Sequence, residues 1–499
     1  MRRSLSLAAL LPPVLLPLAA CTVGPDYKGP PATAADAVAR GSFVRAGDAS
    51  FTPAPGLARW WDTLGDPTLA ALVDDALAHS PTIDQAQARI LQAQSQLTQQ
   101  RAAQLPSVST NATVLHARLP GVDLGGGSGD NSGGEADGGT SSGGGDSTSL
   151  TFYNLGLNAS WELDLFGGAR RRVEQARATI GARFADLADA QVSLSAQVGQ
   201  AYVSLRDVQE RIRLNQRSTA LQRQQLGLVR QRLDRGAASQ LDLERLQNQL
   251  ENTEAQAVPL GAQRDEYLNQ LAVLTGRTPG ALDATLGTVV PVPLPPAQVP
   301  IGNPAELIAH RPDIRAAERQ LAASTAAIGV NKARELPGIK FMGILGLGGT
   351  NIGDVFDLGN LTTLATPMLS WSLLDFGKAR GATREAEAGA TLADAQYRQT
   401  VLEALNDAET ALSRFANTRA QLGQLSQAEA TATRSATLNA QRVAAGTSST
   451  IDQIDIERQR LSAAMSVAQA RAQLTNSYIA VQKALGLGWT EPAAGQTPG

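Results

Sequence analysis

Hydrophobic positions along this chain change period several times. Tyr153, Leu155, Leu157, Ala159, Trp161 and Leu163 alternate with Asn154, Gly156, Asn158, Ser160 and Glu162, which is the period of a strand with one apolar and one polar face. Val108, Thr110, Ala112 and Val114 alternate in the same way with Ser107, Ser109, Asn111 and Thr113, and this run is the expected partner strand. From Gly168 to about Asp234 there is neither a proline nor a glycine cluster, and the pattern becomes helical. Val198, Tyr202, Leu205, Val208 and Ile212 form a seam like that of a coiled coil, with many alanines between them to admit close neighbours. Such a helix extends roughly 100 Å at about 1.5 Å per residue. It needs partner helices along its whole length, because isolated helices gain too little from propensity alone.

The same sequence of periods occurs twice. Trp161-Glu-Leu-Asp-Leu-Phe-Gly-Gly-Ala-Arg170 returns as Trp371-Ser-Leu-Leu-Asp-Phe-Gly-Lys-Ala-Arg380, 210 positions later. That spacing then holds without a gap: Leu205 falls on Phe415, Leu228 on Leu438, Arg232 on Arg442, Gly236 on Gly446, Ser239 on Ser449, Asp242 on Asp452 and Gly276 on Gly486. The front of each copy repeats at 231 positions, Ala78-His-Ser-Pro-Thr-Ile83 against Ala309-His-Arg-Pro-Asp-Ile314. The 21 extra residues of the first copy fall in the Gly, Ser and Asp-rich run 121–149, a long loop peculiar to it. The second copy offers strands at Gly338–Gly348 and Leu361–Leu373, with Thr363, Ala365, Leu369, Trp371 and Leu373 on one side. Two helix-rich copies with no core of their own make one duplicated, mainly α body, to which each copy adds a β-hairpin. The copies span 66–276 and 303–486; a Pro-rich linker, 277–302, joins them, and 487–499 is a tail.

Four strands admit two readings. They form a small soluble sheet capped by helices, or they belong to a barrel built from several chains, since an open sheet edge cannot sit in lipid. Three chains give twelve strands, an even number suited to outer-membrane barrels. In the barrel reading Tyr153, Leu155, Leu157, Trp161 and Trp371 face lipid.

The chain start adds a membrane address. Arg2 and Arg3 precede an apolar run that ends Leu18-Ala19-Ala20-Cys21 and is interrupted by Pro12, Pro13 and Pro17. It is too short and too broken for a spanning helix and has the layout of a secretory signal over 1–20. Either Cys21 is a chance residue after an ordinary signal, or the cut falls before it and Cys21 carries acyl chains that anchor the chain. An extended arm, 21–65, follows, and Asp66-Pro67 after Trp60-Trp61 marks a helix start with a cap and a proline at the first position. Cys21 is the only cysteine, so neither an internal disulfide nor a cysteine-based metal site is possible.

Chemistry is otherwise sparse. A net charge of −3 with interspersed signs carries no nucleic-acid footprint. His79, His116 and His310 join no catalytic constellation, Gly343–Gly349 reads as a strand end and turn, and neither metal nor cofactor is called for beyond the lipid on Cys21. Arg170, Arg171 and Arg172 sit at the unfavourable end of a helix dipole, where lipid headgroups or solvent would explain them. Each long helix ends in a turn, Gly236-Ala237-Ala238-Ser239 and Gly446-Thr447-Ser448-Ser449, with glycine closing one helix and serine capping the next. Asp452 and Asp455 follow the second turn on one helix face, whereas the first copy has Asp242 but Arg245. In a threefold assembly the second pair makes two carboxylate rings, a candidate gate; alternatively, the aspartates only cap and complement the dipole.

The chain resembles the TolC-like outer-membrane factors, in particular the lipoprotein branch of the OprM and NodT type. The likeness rests on Cys21-Thr-Val-Gly-Pro-Asp-Tyr27, Trp60-Trp61 with Asp66-Pro67, Trp161-Glu-Leu-Asp-Leu-Phe-Gly167, His310-Arg-Pro-Asp-Ile-Arg-Ala-Ala-Glu318 and Asp375-Phe-Gly377. It implies a homotrimer whose twelve-stranded outer-membrane barrel continues into a periplasmic tunnel of twelve helices. It further implies an efflux duct serving a periplasmic adaptor, which engages the two turns, and an inner-membrane transporter of the resistance-nodulation-division class. Some members of that family also close the entrance with a Tyr and an Arg, where this chain has Val443 and Ser448; Arg245 or Arg442 is the substitute to look for. A type I secretion duct and a lipid-anchored coiled-coil scaffold without a pore are the competing readings.

Overall fold

The computed structural model describes residues 22–120 and 147–490. Cys21, the signal 1–20, most of the Gly-rich loop and the end of the tail therefore lie outside the described residues. In order, the elements are α1 Ala35–Arg40, β1 Phe51–Thr52, α2 Pro67–His79, α3 Pro81–Ala102, β2 Ser107–Pro120, β3 Ser147–Leu163, α4 Gly168–Asp234 and α5 Gln240–Leu274. There follow α6 Asp283–Leu286, β4 Val299–Pro300, α7 Pro304–His310, α8 Pro312–Ala333, β5 Gly338–Gly349, β6 Leu361–Ser370, α9 Lys378–Ala444 and α10 Thr450–Ala484. The repeat is exact in length where it matters: α4 and α9 have 67 residues each, and α5 and α10 have 35 each.

These elements fall into two compact units, each drawing on both copies. The first, within Met1–Tyr27, Ser95–Ala176 and Ser324–Gly389, holds one antiparallel sheet of order β2-β3-β5-β6. The hairpin of the first copy joins that of the second through β3 and β5, where Trp161 lies opposite Phe341 and Leu157 opposite Leu345. Gly343, Gly346 and Gly348 lie within β5 rather than at a turn. Gly348 permits a close strand approach, since a Cβ there would come within 2.5 Å of the Tyr153 carbonyl oxygen. The last strand stops at Ser370, so Trp371 and Leu373 follow it instead of continuing it.

The strand-to-helix junctions explain the arginines. At α4 the Asp164 carboxylate accepts from the Ala169 and Arg170 amides at 2.8 and 2.9 Å, capping the helix, and it also takes the Arg170 side chain. Arg171 is 3% exposed and reaches no membrane surface: it pairs with Asp26 and Glu174 and donates to the Val23 and Gly24 carbonyls. A buried guanidinium needs such partners, and here they belong to the N-terminal arm. Burial therefore takes Arg171 away from lipid headgroups, while Arg170 stays exposed beside Asp164.

The second unit, within Lys28–Gln94, Arg177–Ala323 and Ala390–Gly499, has its core around Trp60, Trp61, Tyr202, Leu205, Phe415 and Tyr478. Leu205 and Phe415 are repeat equivalents and both are buried, as the seam requires. Asp66 caps α2 by accepting from the Thr68 and Leu69 amides, and its other oxygen takes the Tyr202 hydroxyl at 2.6 Å. The arm is not wholly extended: it forms α1, and β1 pairs in parallel with β4 of the linker. Two residues per strand are too few to show as a period in sequence.

Arg206 fastens the same linker. It is 2% exposed, lies 4.8 Å over the Tyr202 ring and donates to the Leu286 and Thr288 carbonyls at 3.2 and 2.7 Å. Replacing it with methionine keeps the apolar stem but takes the donor from the Thr288 carbonyl, while the Leu286 carbonyl keeps the Gln209 amide at 2.7 Å. Arg206→Met should cost about 2 kcal/mol, measured as a lowered guanidinium midpoint of unfolding.

Candidate functional site

The sheet carries the first site. Its register places Val108, Thr110, Ala112 and Val114 beside Tyr153, Leu155, Leu157, Ala159 and Trp161 on one face, continued by Phe341, Leu345 and Leu347. Val108, Val114, Leu155, Leu157, Phe341, Leu345 and Leu369 stay exposed, Val108 and Val114 at 65% each. The opposite face brings Asn111 against Gly156, Ser107 against Ser160, and Glu162 against Lys340. An apolar face of this extent left open to water is unusual for a monomeric soluble protein and marks a surface made for another medium. Trp161 and Trp371 anchor equivalent ends of it: their indole N–H groups donate to the Gln104 and Glu335 carbonyls at 3.0 and 3.2 Å. An indole with one wet end and one apolar body suits a membrane boundary. No helix among the described residues is long and apolar enough to cross a membrane.

The helical tips form the second site. Gly236 and Gly446 adopt φ of 72° and 71°, which glycine reaches without a Cβ penalty. The amides of Ala237 and Thr447 reach back to the Arg232 and Arg442 carbonyls at 2.8 and 2.9 Å, closing each helix end. Ser239 and Ser449 then make full capping boxes with Asp242 and Asp452. Both carboxylates are held below their ordinary range by the hydroxyl and amide of the capping serine; Arg245 adds to this at Asp242, Arg232 and Arg442 at Asp452. Gly236, Ala237, Gly446 and Thr447 are exposed.

Asp455 is placed differently from Asp452. It accepts from Gln225 of α4 at 3.0 Å and from Arg458 at 3.1 Å, so the second carboxylate ties α10 to α4. Arg217 and Glu457 add a second link between the same helices at 3.6 Å. Arg245, its repeat counterpart, is exposed on α5. The second tip also carries a polar chain that sequence reasoning missed. Ser448 donates to Asn439, Asn439 to Gln453, and Gln453 to the Ala436 carbonyl, at 2.9, 2.8 and 3.2 Å. At 210 positions earlier stand Ala238, Val229 and Leu243, and the latter two are buried. The mismatch was visible in the aligned copies; that its members touch was not.

Among the described residues no group of three or more His, Cys, Asp or Glu side chains could hold a metal. His79 pairs with Asp75, and His116 meets Thr151.

An open apolar sheet face and paired helices with capped tips are features that an outer-membrane channel subunit needs. The chain belongs to the outer membrane efflux protein family, which it matches over residues 72–277 and 303–487. It is 28% identical to nodulation protein T of Rhizobium leguminosarum bv. trifolii, over 95% of this chain and 96% of that protein. It is likewise 28% identical to the outer membrane protein OprJ of Pseudomonas aeruginosa, over 96% and 95% of the two chains. Among solved structures the outer-membrane channel OprN aligns with a TM-score of 0.81 at 32% identity, covering 94% of this chain and 100% of that one. The protein is an efflux channel of the outer membrane. Channels of its family are trimeric and work with an adaptor and an inner-membrane transporter.

Because the folded Asp242 and Asp452 carboxyls ionise below their ordinary value of 3.8, their contribution to the tips is complete above that value and is lost as pH falls through the lowered one. Hydrogen exchange at the Ser239 and Ser449 amides, corrected for intrinsic rates, should thus stay protected from neutral pH down to the ordinary carboxylate range and weaken only below it. Ser449→Ala should speed exchange at the second tip about fivefold at neutral pH.

Proposed function

We propose that three copies of this chain close a twelve-stranded barrel in the outer membrane, continued by a tunnel of twelve helices, as the exit duct of a tripartite efflux pump. The observation that carries this is the four-stranded sheet with open edges at β2 and β6 and an uncovered apolar face. Neither edge can remain unpaired in lipid. With four antiparallel strands, β6 of one copy meets β2 of the next in antiparallel sense, so the sheet closes without a change of ladder. The apolar face then turns to lipid, and the face bearing Asn111, Asn158 and Ser160 turns to the lumen.

In this reading Cys21 is acylated and the tips receive a periplasmic adaptor at Gly236–Ser239 and Gly446–Ser449. A transporter of the resistance-nodulation-division class delivers drugs, toxic compounds or metal ions. The gate lies at Asp452 and Asp455. Asp455 is held by Gln225 and Arg458, which stand in for the absent Tyr and Arg latch. Loss of the link between α10 and α4 frees the second hairpin to swing outward, while the carboxylate rings favour cations by their field.

In planar bilayers the Asp452→Asn, Asp455→Asn double variant should show higher conductance and weaker cation selectivity than the parent. Unchanged values of both would remove the gate from these residues. The intact mass of the mature protein checks the anchor: a chain starting at an unmodified Cys21, or retaining its signal, overturns it.

A further inference from the structure

The apolar face is not smooth. In register across the four strands, Val108, Ala159, Gly343 and Ala365 form a row of small side chains. On one side of it stands the row Thr110, Leu157, Leu345 and Thr363, and on the other Trp161, Phe341 and Pro367. Trp161 and Phe341 stack with ring centroids 6.2 Å apart and make a tall wall. Over the small row and against the Trp161 wall lies a groove of about 420 Å³, lined by Pro106, Ala159, Trp161, Phe341, Gly343 and Ala365 among others. Its lining is almost wholly apolar, so its occupant is a hydrocarbon.

The N-terminal arm arrives beside it. A Cβ on Gly167 would lie 2.6 Å from Thr22 Cγ2 and 2.9 Å from Thr22 Cα, so only glycine admits the arm there. The Val23 amide donates to the Phe166 carbonyl at 3.0 Å, and Arg171 grips Val23, Gly24 and Asp26. Thr22, the residue after Cys21, is therefore fixed four positions beyond the end of β3. Trp161 is six residues from Gly167, at most roughly 20 Å away at about 3.3 Å per residue, and less because the chain turns between Leu163 and Gly168. A chain of about one leaflet, roughly 15 Å of hydrocarbon, carried on the cysteine and its linker, spans that gap.

We infer that the groove over Ala159, Gly343 and Ala365, walled by Trp161 and Phe341, seats an acyl chain borne by Cys21, so that the anchor docks on its own barrel instead of floating in the leaflet. This rests on the proposed acylation of Cys21. The tether confines the chain near the groove and gives it a high local concentration, and Arg171 sets the direction from which it enters. A phospholipid acyl chain is the competing occupant.

The test uses the full-length protein in membranes of cells fed a diazirine-bearing fatty acid, irradiated, purified and mapped by peptide mass spectrometry. The N-terminal peptide first reports whether Cys21 is acylated; an unacylated peptide overturns the anchor and this inference together. If it is acylated, docking is expected to give cross-links from the Cys21 lipid to the peptides of β3 and β5. Gly343→Leu should reduce them about tenfold, the effect of excluding roughly two methylenes. The substitution is tolerated in the fold, since a Cβ there meets Ala159 Cβ at 3.5 Å, an ordinary contact. An acylated Cys21 whose groove residues cross-link only to phospholipid, or cross-links unaltered by Gly343→Leu, overturns the docking while leaving the anchor intact.

Discussion

A backbone N–H or C=O in hydrocarbon must find a partner, and the sheet of this protein leaves two edges without one. Much follows from that constraint. In the proposed trimer it requires β2 and β6 to be covered by strands of the other chains, and the uncovered apolar face then becomes a surface for lipid. The duplication meets the same demand economically. One hairpin from each copy joins through β3 and β5, with the glycines of β5 letting the strands approach.

The junction between sheet and helix is held by a dense set of polar contacts. Asp164 caps α4, the two equivalent tryptophans tie their indoles to turn carbonyls, and Arg171 turns inward to hold the segment that follows Cys21. A run of three arginines after a strand looks like a headgroup surface when read as composition. In the fold, Arg170 answers to Asp164 and Arg171 to Asp26 and Glu174. Burial decides this: a guanidinium 3% exposed can persist only with acceptors on several sides.

The two helical tips share a backbone and differ in what binds them. Both close on glycine and a capping box, so both carry an ionised aspartate that belongs first to its helix. The first tip is then packed by Val229 and Leu243, the second by Ser448, Asn439 and Gln453. Apolar packing tolerates small slips, whereas a chain of hydrogen bonds holds one register and breaks as a unit. With Asp455 bonded to Gln225, the second hairpin is the one whose position depends on a few directional bonds.

What the sequence by itself determined was whatever depends on neighbours in the chain. The alternation at 153–163, the helix from Gly168 to Asp234, its twin 210 positions on, the Asp66-Pro67 start and the Gly-x-x-Ser turns were all legible, because period, cap and turn act within a few residues. Tertiary structure alone decided the contacts made between distant segments. It made Arg171 a clasp for the arm, paired β1 with β4, set Asp455 against Gln225 and lined small side chains into a groove across four strands. Those outcomes turn on register and burial, which arise only once strands and helices are placed side by side.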